Sequence, residues 1–515
     1  MQLNNTVPPK TAPQPQPTPA LSDTRLLLLC GAALTLLHIL VNGQYGFHRD
    51  ELLSLDNAHH LAWGYVVYPP LTPFLARIEL ILFGNSLRGF RFFAALAQGL
   101  AFLFTGLTAR EMGGQRWAQL TAAAAFAISG FSLFSGGFMS YSSLDYLWWI
   151  LAAYSAARLF RTQNPRWWLA VGAAIGLGLM TRYTLGLLIL GILAGLLFTP
   201  ARRQFKSPWF WAGAALAFLL CLPNFLWQIH HQFIWLQWFH SIHARDVGQG
   251  LADNFLLNQF WKTTSSVTVP LWLAGLWFLF VKREGKPWRP LGWMYAVPFL
   301  VLLALRGRDY YLVPAYPILF AAGAVQTEHW LSTLQSRAAR VRRAPVIAFT
   351  LSGLITAALT LPIAPINSPW WHIADATLGG NFSAEIGWPE MVATVAAVRS
   401  SLPPEDQAHL AILVGDSGEA GAIDLYGPPY HLPRVISGSN SLWARGYGDP
   451  PPQTIIAVNM DAASLERHFT SCQVAAHLPH PWGIANFTMP YDDVYVCRGL
   501  RTSWPEFWAH FQYYG

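Results

Sequence analysis

Two adjacent carboxylates, Asp50 and Glu51, follow His48 and Arg49 a few residues after the apolar stretch Leu26 to Val41. Acidic side chains are costly close to a bilayer, so a pair in that place calls for a use. A carboxylate beside an acceptor hydroxyl can take its proton. Farther along, Asp145 follows Tyr141-Ser142-Ser143, Arg182-Tyr183 interrupts a long apolar region, and Arg306-Gly307-Arg308-Asp309-Tyr310-Tyr311 joins two apolar runs. Arginine offers planar, paired donors that suit a phosphate. Carboxylates and arginines gathered at one depth fit a transfer from a lipid phosphate. The lipid tail stays in the bilayer while the phosphate meets the arginines.

The elements that must position these groups are membrane helices. Of 515 residues, 53% are hydrophobic and only 11% charged, under half of the roughly 25% charge of a soluble domain. Apolar runs near the ~20-residue spanning length recur through the first 365 residues, about eleven in all. They centre near 26–42, 90–109, 117–134, 143–160, 167–180, 184–199, 209–226, 267–281, 291–305, 311–326 and 345–363. The net charge of +7 is then a property of cytoplasmic loops and not a nucleic-acid signal. Basic residues fall on alternate connections: Arg110 and Arg116; Arg161 and Arg166; Arg202, Arg203 and Lys206; Lys282, Arg283, Lys286 and Arg289; and Arg337, Arg340, Arg342 and Arg343. This alternation places the N-terminus inside. It places the 43–88 and 227–265 loops, the outer ends carrying Asp145, Arg182 and Arg308, and everything after about residue 365 outside.

Residues 1–23 are rich in Pro, Gln and Thr, lack signal-peptide features, and read as a disordered cytoplasmic tail. Residues 24–365 form the transmembrane catalytic unit. Residues 366–515 change composition and read as an outer α/β domain. Within it Trp388 to Ser401 is a helix, and Leu410–Val414, Thr454–Val458 and Val494–Cys497 are short apolar runs separated by Gly/Pro/Asp clusters. In the 43–88 loop, Asp50 to Ala62 and Pro73 to Phe83 have the spacing of helices lying on the membrane surface. Trp63, Tyr65, Tyr68, Trp235, Trp238 and Trp261 suit an interface. Cys472 and Cys497 pair in an oxidising compartment or stand as two reduced thiols, which spacing does not decide. Cys30 and Cys221 are ordinary packing residues.

Each candidate has a plainer use as well. Arg182 and Arg308 can snorkel to the interface. Asp145, or Asp50 with Glu51, can cap a helix N-terminus. Asp309 can pair with a neighbouring cation. His48, His59 and His60 raise a zinc site, but adjacent histidines point to different helix faces.

Four segments resemble a known family: GFHRDELLSLDNAHHLAWGYVVYPPLTPFLAR from Gly46, SYSSLDYLWW from Ser140, MTRYTLGL from Met180 and RGRDYYLVPAYPILFAAGA from Arg306. The chain resembles the bacterial branch of the dolichyl-phosphate-mannose protein mannosyltransferase superfamily. These are glycosyltransferases of the GT-C fold, related to the aminoarabinose transferases of lipid A. The resemblance runs from about residue 25 to 330. It implies a polyprenyl-phosphate-linked sugar donor and an inverting transfer to a cell-envelope acceptor on the non-cytoplasmic face of a bacterial inner membrane. The family's acidic pair maps onto Asp50 and Glu51, and its second acidic position onto Asp145. This chain departs from the pattern at Val67-Tyr68, where relatives carry an acidic or polar residue, and at Arg182 and Arg308, where they often carry lysine.

The combined reading makes Asp50 the general base. Glu51 orients the acceptor or supports a metal, and Asp145 shares the work. Arg182, Arg308 and Tyr310 hold the donor phosphate, and His48, Arg49, Tyr68 and Tyr183 line the substrate cavity. No cofactor is required; Mg²⁺ or Mn²⁺ is compatible with the layout but not called for. A lipid-linked oligosaccharide ligase, a flippase or a secondary transporter is the alternative. A transporter would place its charges near the membrane midplane.

Overall fold

The computed structural model describes residues 22–334 and 338–515. The predicted tail up to residue 21, and Arg337 of the last basic loop, lie outside the described residues. Every predicted apolar stretch falls on helical structure, from Asp23–Val41 through Phe92–Glu111, Tyr141–Thr162 and Pro208–His230 to Tyr316–Ser332 and Ala338–Thr360, but the 117–134 stretch is divided between Arg116–Ala127 and Gly130–Ser135, and 311–326 begins in a 3₁₀ segment, Asp309–Ala315. Among the described residues, four helices are singly long and apolar enough to cross a membrane: Asp23–Val41, Phe92–Glu111, Pro208–His230 and Val341–Thr360. The number reaches six when two bent pairs are each taken as one span. Helices pack at small residues. A Cβ on Gly323 would run into the backbone of Leu271, and one on Gly275 into that of Leu319. Such close backbone approach drives association where no hydrophobic gain is available.

The bundle has two chemically different ends. At one, Arg116 pairs with Asp23 at 2.6 Å, and Arg158 and Arg161 reach Glu111 at 2.7 and 3.2 Å. The other end carries the loop helices. Arg49–His59 starts with a capping box: the His48 ring accepts from the Asp50 N–H, and the Glu51 carboxylate accepts from the His48 N–H. Leu71–Phe83 follows Pro69-Pro70. The 227–265 loop, read from sequence only for its aromatics, folds into helices Ile234–Gly248 and Phe255–Trp261.

Beyond the last long helix lies a small α/β unit. Its sheet comprises β1 (Leu410–Val414), β2 (Val435–Ile436), β3 (Thr454–Val458), β4 (Phe469–His477) and β5 (Asp493–Leu500), in the order β2-β1-β3-β5-β4. β1 runs parallel to β2 and β3, and β5 antiparallel to β3 and β4. β1, β3, β5 and the helix Trp388–Ser401 match the sequence reading. β4 was missed because it is an edge strand with mostly exposed residues and no apolar run. Cys472 on β4 faces Cys497 on β5, and the two form a disulfide.

This unit docks on the first loop helix. The helix Ser417–Tyr426 lies so close to Arg49–His59 that a Cβ on Gly421 would collide with the Leu52 carbonyl. Beside it, Arg445 makes a double hydrogen bond to Asp56, 2.6 Å on each arm. Gly421→Val is expected to cost about 1–3 kcal/mol through overpacking. Thermal unfolding in detergent checks this; an unchanged midpoint would show that the two helices are not tightly docked.

Candidate active site

A cavity of about 160 Å³ lies between the loop helices and the α/β unit. Its wall contains Arg49, Asp50, Tyr68, Tyr141, Arg245, Asp246, Arg308, Tyr310, Asp416 and Asn440. Its charged groups form two clusters. In the first, Arg49 lies 3.4 Å from Asp50 and 3.7 Å from Asp416, one cation between two carboxylates. In the second, Asp246 lies 3.2 Å from both Arg245 and Arg308, one carboxylate between two cations. The cavity therefore carries net negative charge in one cluster and net positive charge in the other.

Local structure explains each position. Asp50 stands in the first turn of its helix with its side chain 37% exposed, so it can meet a substrate. Asp416 is the N-cap of Ser417–Tyr426; its Oδ1 accepts from the Ser417 N–H, the Ser417 hydroxyl and the Ser439 hydroxyl. Those bonds fix the carboxylate and leave Oδ2 for Arg49. Tyr310 lies under two guanidinium groups, Arg308 at 5.6 Å and Arg182 at 5.5 Å from the ring centre.

Of the residues picked out from sequence, Asp50, Arg49, Tyr68, Arg308 and Tyr310 are on the cavity wall. Glu51 is not. It is wholly buried, and its carboxylate accepts from Arg91 at 2.9 and 2.7 Å and from the N–H groups of His48 and Met139. Successive helix residues point about 100° apart, so Asp50 facing the cavity turns Glu51 into the protein. Asp145 is also buried off the wall, 3.7 Å from Arg182. Arg182 is enclosed by the rings of Tyr141, Tyr310 and Tyr311, so this pair sits one layer behind the wall. His48 is buried, with Nδ1 accepting from the Asp50 N–H and Nε2 3.0 Å from Asn381 Oδ1; burial pushes its imidazole below the ordinary value. Tyr183 donates to Asn224 and accepts from Gln228, away from the cavity. Asp309 pairs with Lys262 at 2.9 Å.

Sequence reasoning missed Arg245, Asp246 and Asp416. The first two sit on a helix that had been read as a loop. Asp416 falls in one of the Gly/Pro/Asp clusters between apolar runs, and it lies just past the carboxyl end of β1, flanked by parallel strands, where ligands of open α/β sheets commonly bind. Arg91 was missed as well. It joins Glu51 to Glu385, 3.4 Å away, and burial pushes the Glu385 carboxyl up to about 8. Arg91→Met is expected to cost about 3–5 kcal/mol, because it strands two buried carboxyl groups. Thermal unfolding measures it, and a wild-type midpoint would refute it.

Among the described residues, Asp56, His60 and Asp424 bring three ligand atoms within 4.8 Å of one another. They are off the cavity wall, and both Asp56 oxygens already accept from Arg445.

The family model for dolichyl-phosphate-mannose-protein mannosyltransferase matches residues 67–227. Undecaprenyl phosphate-alpha-4-amino-4-deoxy-L-arabinose arabinosyl transferase 2 of Sodalis glossinidius (strain morsitans) is 28% identical over 359 residues, covering 62% of this chain and 59% of the relative. The match thus spans less than two thirds of that relative's length. The crystal structure of ArnT from Cupriavidus metallidurans in the apo state superposes with a TM-score of 0.53 at 16% identity, covering 92% of this chain and 98% of that one. The same protein bound to undecaprenyl phosphate gives 0.50 at 15% identity, over 91% and 97%. The fold is that of ArnT, mostly helical with a small C-terminal sheet, and the chain is similar over just under a third of its length to the mannosyltransferase family its motifs resemble.

Proposed function

We propose that the protein is an integral-membrane glycosyltransferase that moves a sugar from a polyprenyl-phosphate donor to an acceptor hydroxyl, with inversion. The observation that carries this is the split of charge in the cavity. The donor's phosphodiester anion, which becomes a dianion as it leaves, is attracted to the Arg245–Asp246–Arg308 cluster, and a hydroxyl that must lose a proton to the Arg49–Asp50–Asp416 cluster. Undecaprenyl phosphate, bound to the structurally similar ArnT, is the leaving group such a donor would release, and the relative's name gives an undecaprenyl-phosphate-linked sugar together with its transfer.

In the reaction, Asp50 accepts the proton of the acceptor hydroxyl as its oxygen attacks the anomeric carbon. The bond from that carbon to the phosphate oxygen breaks, and polyprenyl phosphate leaves with the electron pair. Arg308 and Arg245 neutralise the charge that develops. A single displacement inverts the anomeric centre. Asp416 shares Arg49 with Asp50. Tyr310 steadies Arg308 and Arg182; Asp145 balances the charge of Arg182; Glu51 and Arg91 set the helix that presents Asp50. Tyr68 and Arg49 border the acceptor.

The same reading takes the eleven apolar stretches as spans of a bacterial inner membrane, the Arg110, Arg116, Arg158 and Arg161 end as cytoplasmic, and the cavity end and residues 366–515 as extracytoplasmic. Cysteines placed at exposed Asn85 and Ser400 should both react with an impermeant maleimide in intact spheroplasts. Protection of either would refute the orientation. The function is tested by mass spectrometry of lipid co-purified with the protein and by transfer from a radiolabelled undecaprenyl-phosphate sugar to membrane acceptors in proteoliposomes. Finding neither a bound lipid phosphate nor transfer would overturn it.

A further inference from the structure

We infer that the α/β unit is seated in the lipid leaflet at the cavity end of the bundle, through an apolar surface built from the helix Pro369–Thr377 and the loop between β4 and β5. The two pieces form one body with the ends of two long helices. Trp370 Nε1 donates to the Ala358 carbonyl at 2.7 Å, in the last turn of Ala338–Thr360, and the Tyr45 hydroxyl, just past the first helix, donates to the Ala364 carbonyl at 2.7 Å. Ile484 from the loop is buried with Trp371, Ala374 and Phe382. The Phe487 ring packs over Gly380, 2.7 Å from where a Cβ would stand. The surface is thus held where membrane-spanning helices emerge.

From this body large apolar side chains project unburied: Phe487 at 65% exposure, Ile373 at 60% and Trp482 at 59%. Ile363 and Trp370, both also exposed, continue the surface toward the span. An apolar cluster of this kind is uncommon on a surface that faces water. Aromatic side chains next to a span are typical of the headgroup level of a bilayer. A polar rim follows, with His480 2.9 Å from Asp492 and His477 paired with Asp493. Elsewhere the exposed surface of the unit includes charged side chains, such as Glu405 in Pro404–Ala408. The occupant is therefore lipid, by continuity with the lipid-facing surface of Val341–Thr360, of which only 6% is buried. This seating fixes the height of the cavity roof above the membrane. It does not depend on the reaction proposed above.

The test uses the full chain with Cys30→Ser and Cys221→Ser, leaving the disulfide intact. Phe487→Cys, Trp482→Cys and, as a control, Glu405→Cys each receive an environment-sensitive fluorophore. The proteins are placed one copy per nanodisc, with rising fractions of lipid carrying a nitroxide on the upper acyl chain. Labels at positions 487 and 482 should emit at shorter wavelength than the label at 405 and lose emission several-fold as nitroxide lipid rises, while the label at 405 does not respond. Two loop labels as water-exposed and unquenched as the control would overturn the inference. So would labels shielded only in concentrated detergent solution, where a second copy can cover the surface. Having both loop positions guards against Phe487→Cys loosening the contact with Gly380, and transfer activity is not the readout.

Discussion

Asp50→Asn is expected to lower turnover by about 10²–10⁴-fold, the usual cost of losing a general base. Asparagine keeps the shape of the side chain but cannot take a proton from the acceptor. The rest of the site should survive. The helix start depends on His48 and Glu51 rather than on the Asp50 carboxylate, and among the described residues Asp50 makes one ion pair, with Arg49 at 3.4 Å. Folding and donor binding should therefore stay near wild type, so the loss belongs to kcat. The check is transfer from a radiolabelled polyprenyl-phosphate sugar, with donor binding measured separately. Near-normal turnover would remove Asp50 as the base. Asp416, the other carboxylate beside Arg49, would then be the group to test.

Arg308→Ala should behave differently. Arg308 shares Asp246 with Arg245, and its loss turns a cluster with net positive charge into a neutral pair. Donor affinity falls because the phosphate loses a cation in the ground state. Turnover falls too because the charge on the leaving group grows in the transition state; one such electrostatic contact is commonly worth about 10²–10³-fold in kcat. Lysine at this position should rescue charge but not the planar geometry, giving a partial return. Asp246→Asn supplies the opposite sign. It leaves both arginines unneutralised, so donor binding should tighten while product release slows. If Arg308→Ala changed stability and left both donor affinity and turnover intact, the phosphate would have to be placed elsewhere.

Which of the two carboxylates faces the cavity is decided beyond the reach of local sequence. Asp50 and Glu51 are neighbours with the same chemistry, and both suit the first turn of a helix. Composition and spacing reach that far and no farther. The direction of each side chain follows from how the helix is rotated, and the rotation is set by distant partners: Arg91 and Met139 take Glu51 inward, while the Ser417–Tyr426 helix packs against Leu52. Asp145 was placed correctly at the start of a long helix, but only packing shows it behind the rings of Tyr141, Tyr310 and Tyr311 with Arg182. Asp246 and Asp416 join the cavity from segments far from Asp50 in the chain, and no local pattern could pair them with it.

What the amino-acid sequence determined by itself is everything governed by short-range solvation and local periodicity. Long apolar runs must become helices in a bilayer, because an unpaired backbone group in lipid costs too much. The capped loop helix, the alternating basic connections, the helix Trp388–Ser401 and three of the five strands belong to that class. The tertiary structure decided what depends on long-range complementarity. It opposed Cys472 to Cys497 across β4 and β5, with β4 itself hidden in a polar edge segment. It buried Glu51 and exposed Asp50, and it sorted six charged side chains from distant parts of the chain into two clusters of opposite net charge. Charge segregation in a cavity is a property of distances between remote residues, and only the packed helices and the docked α/β unit set those distances.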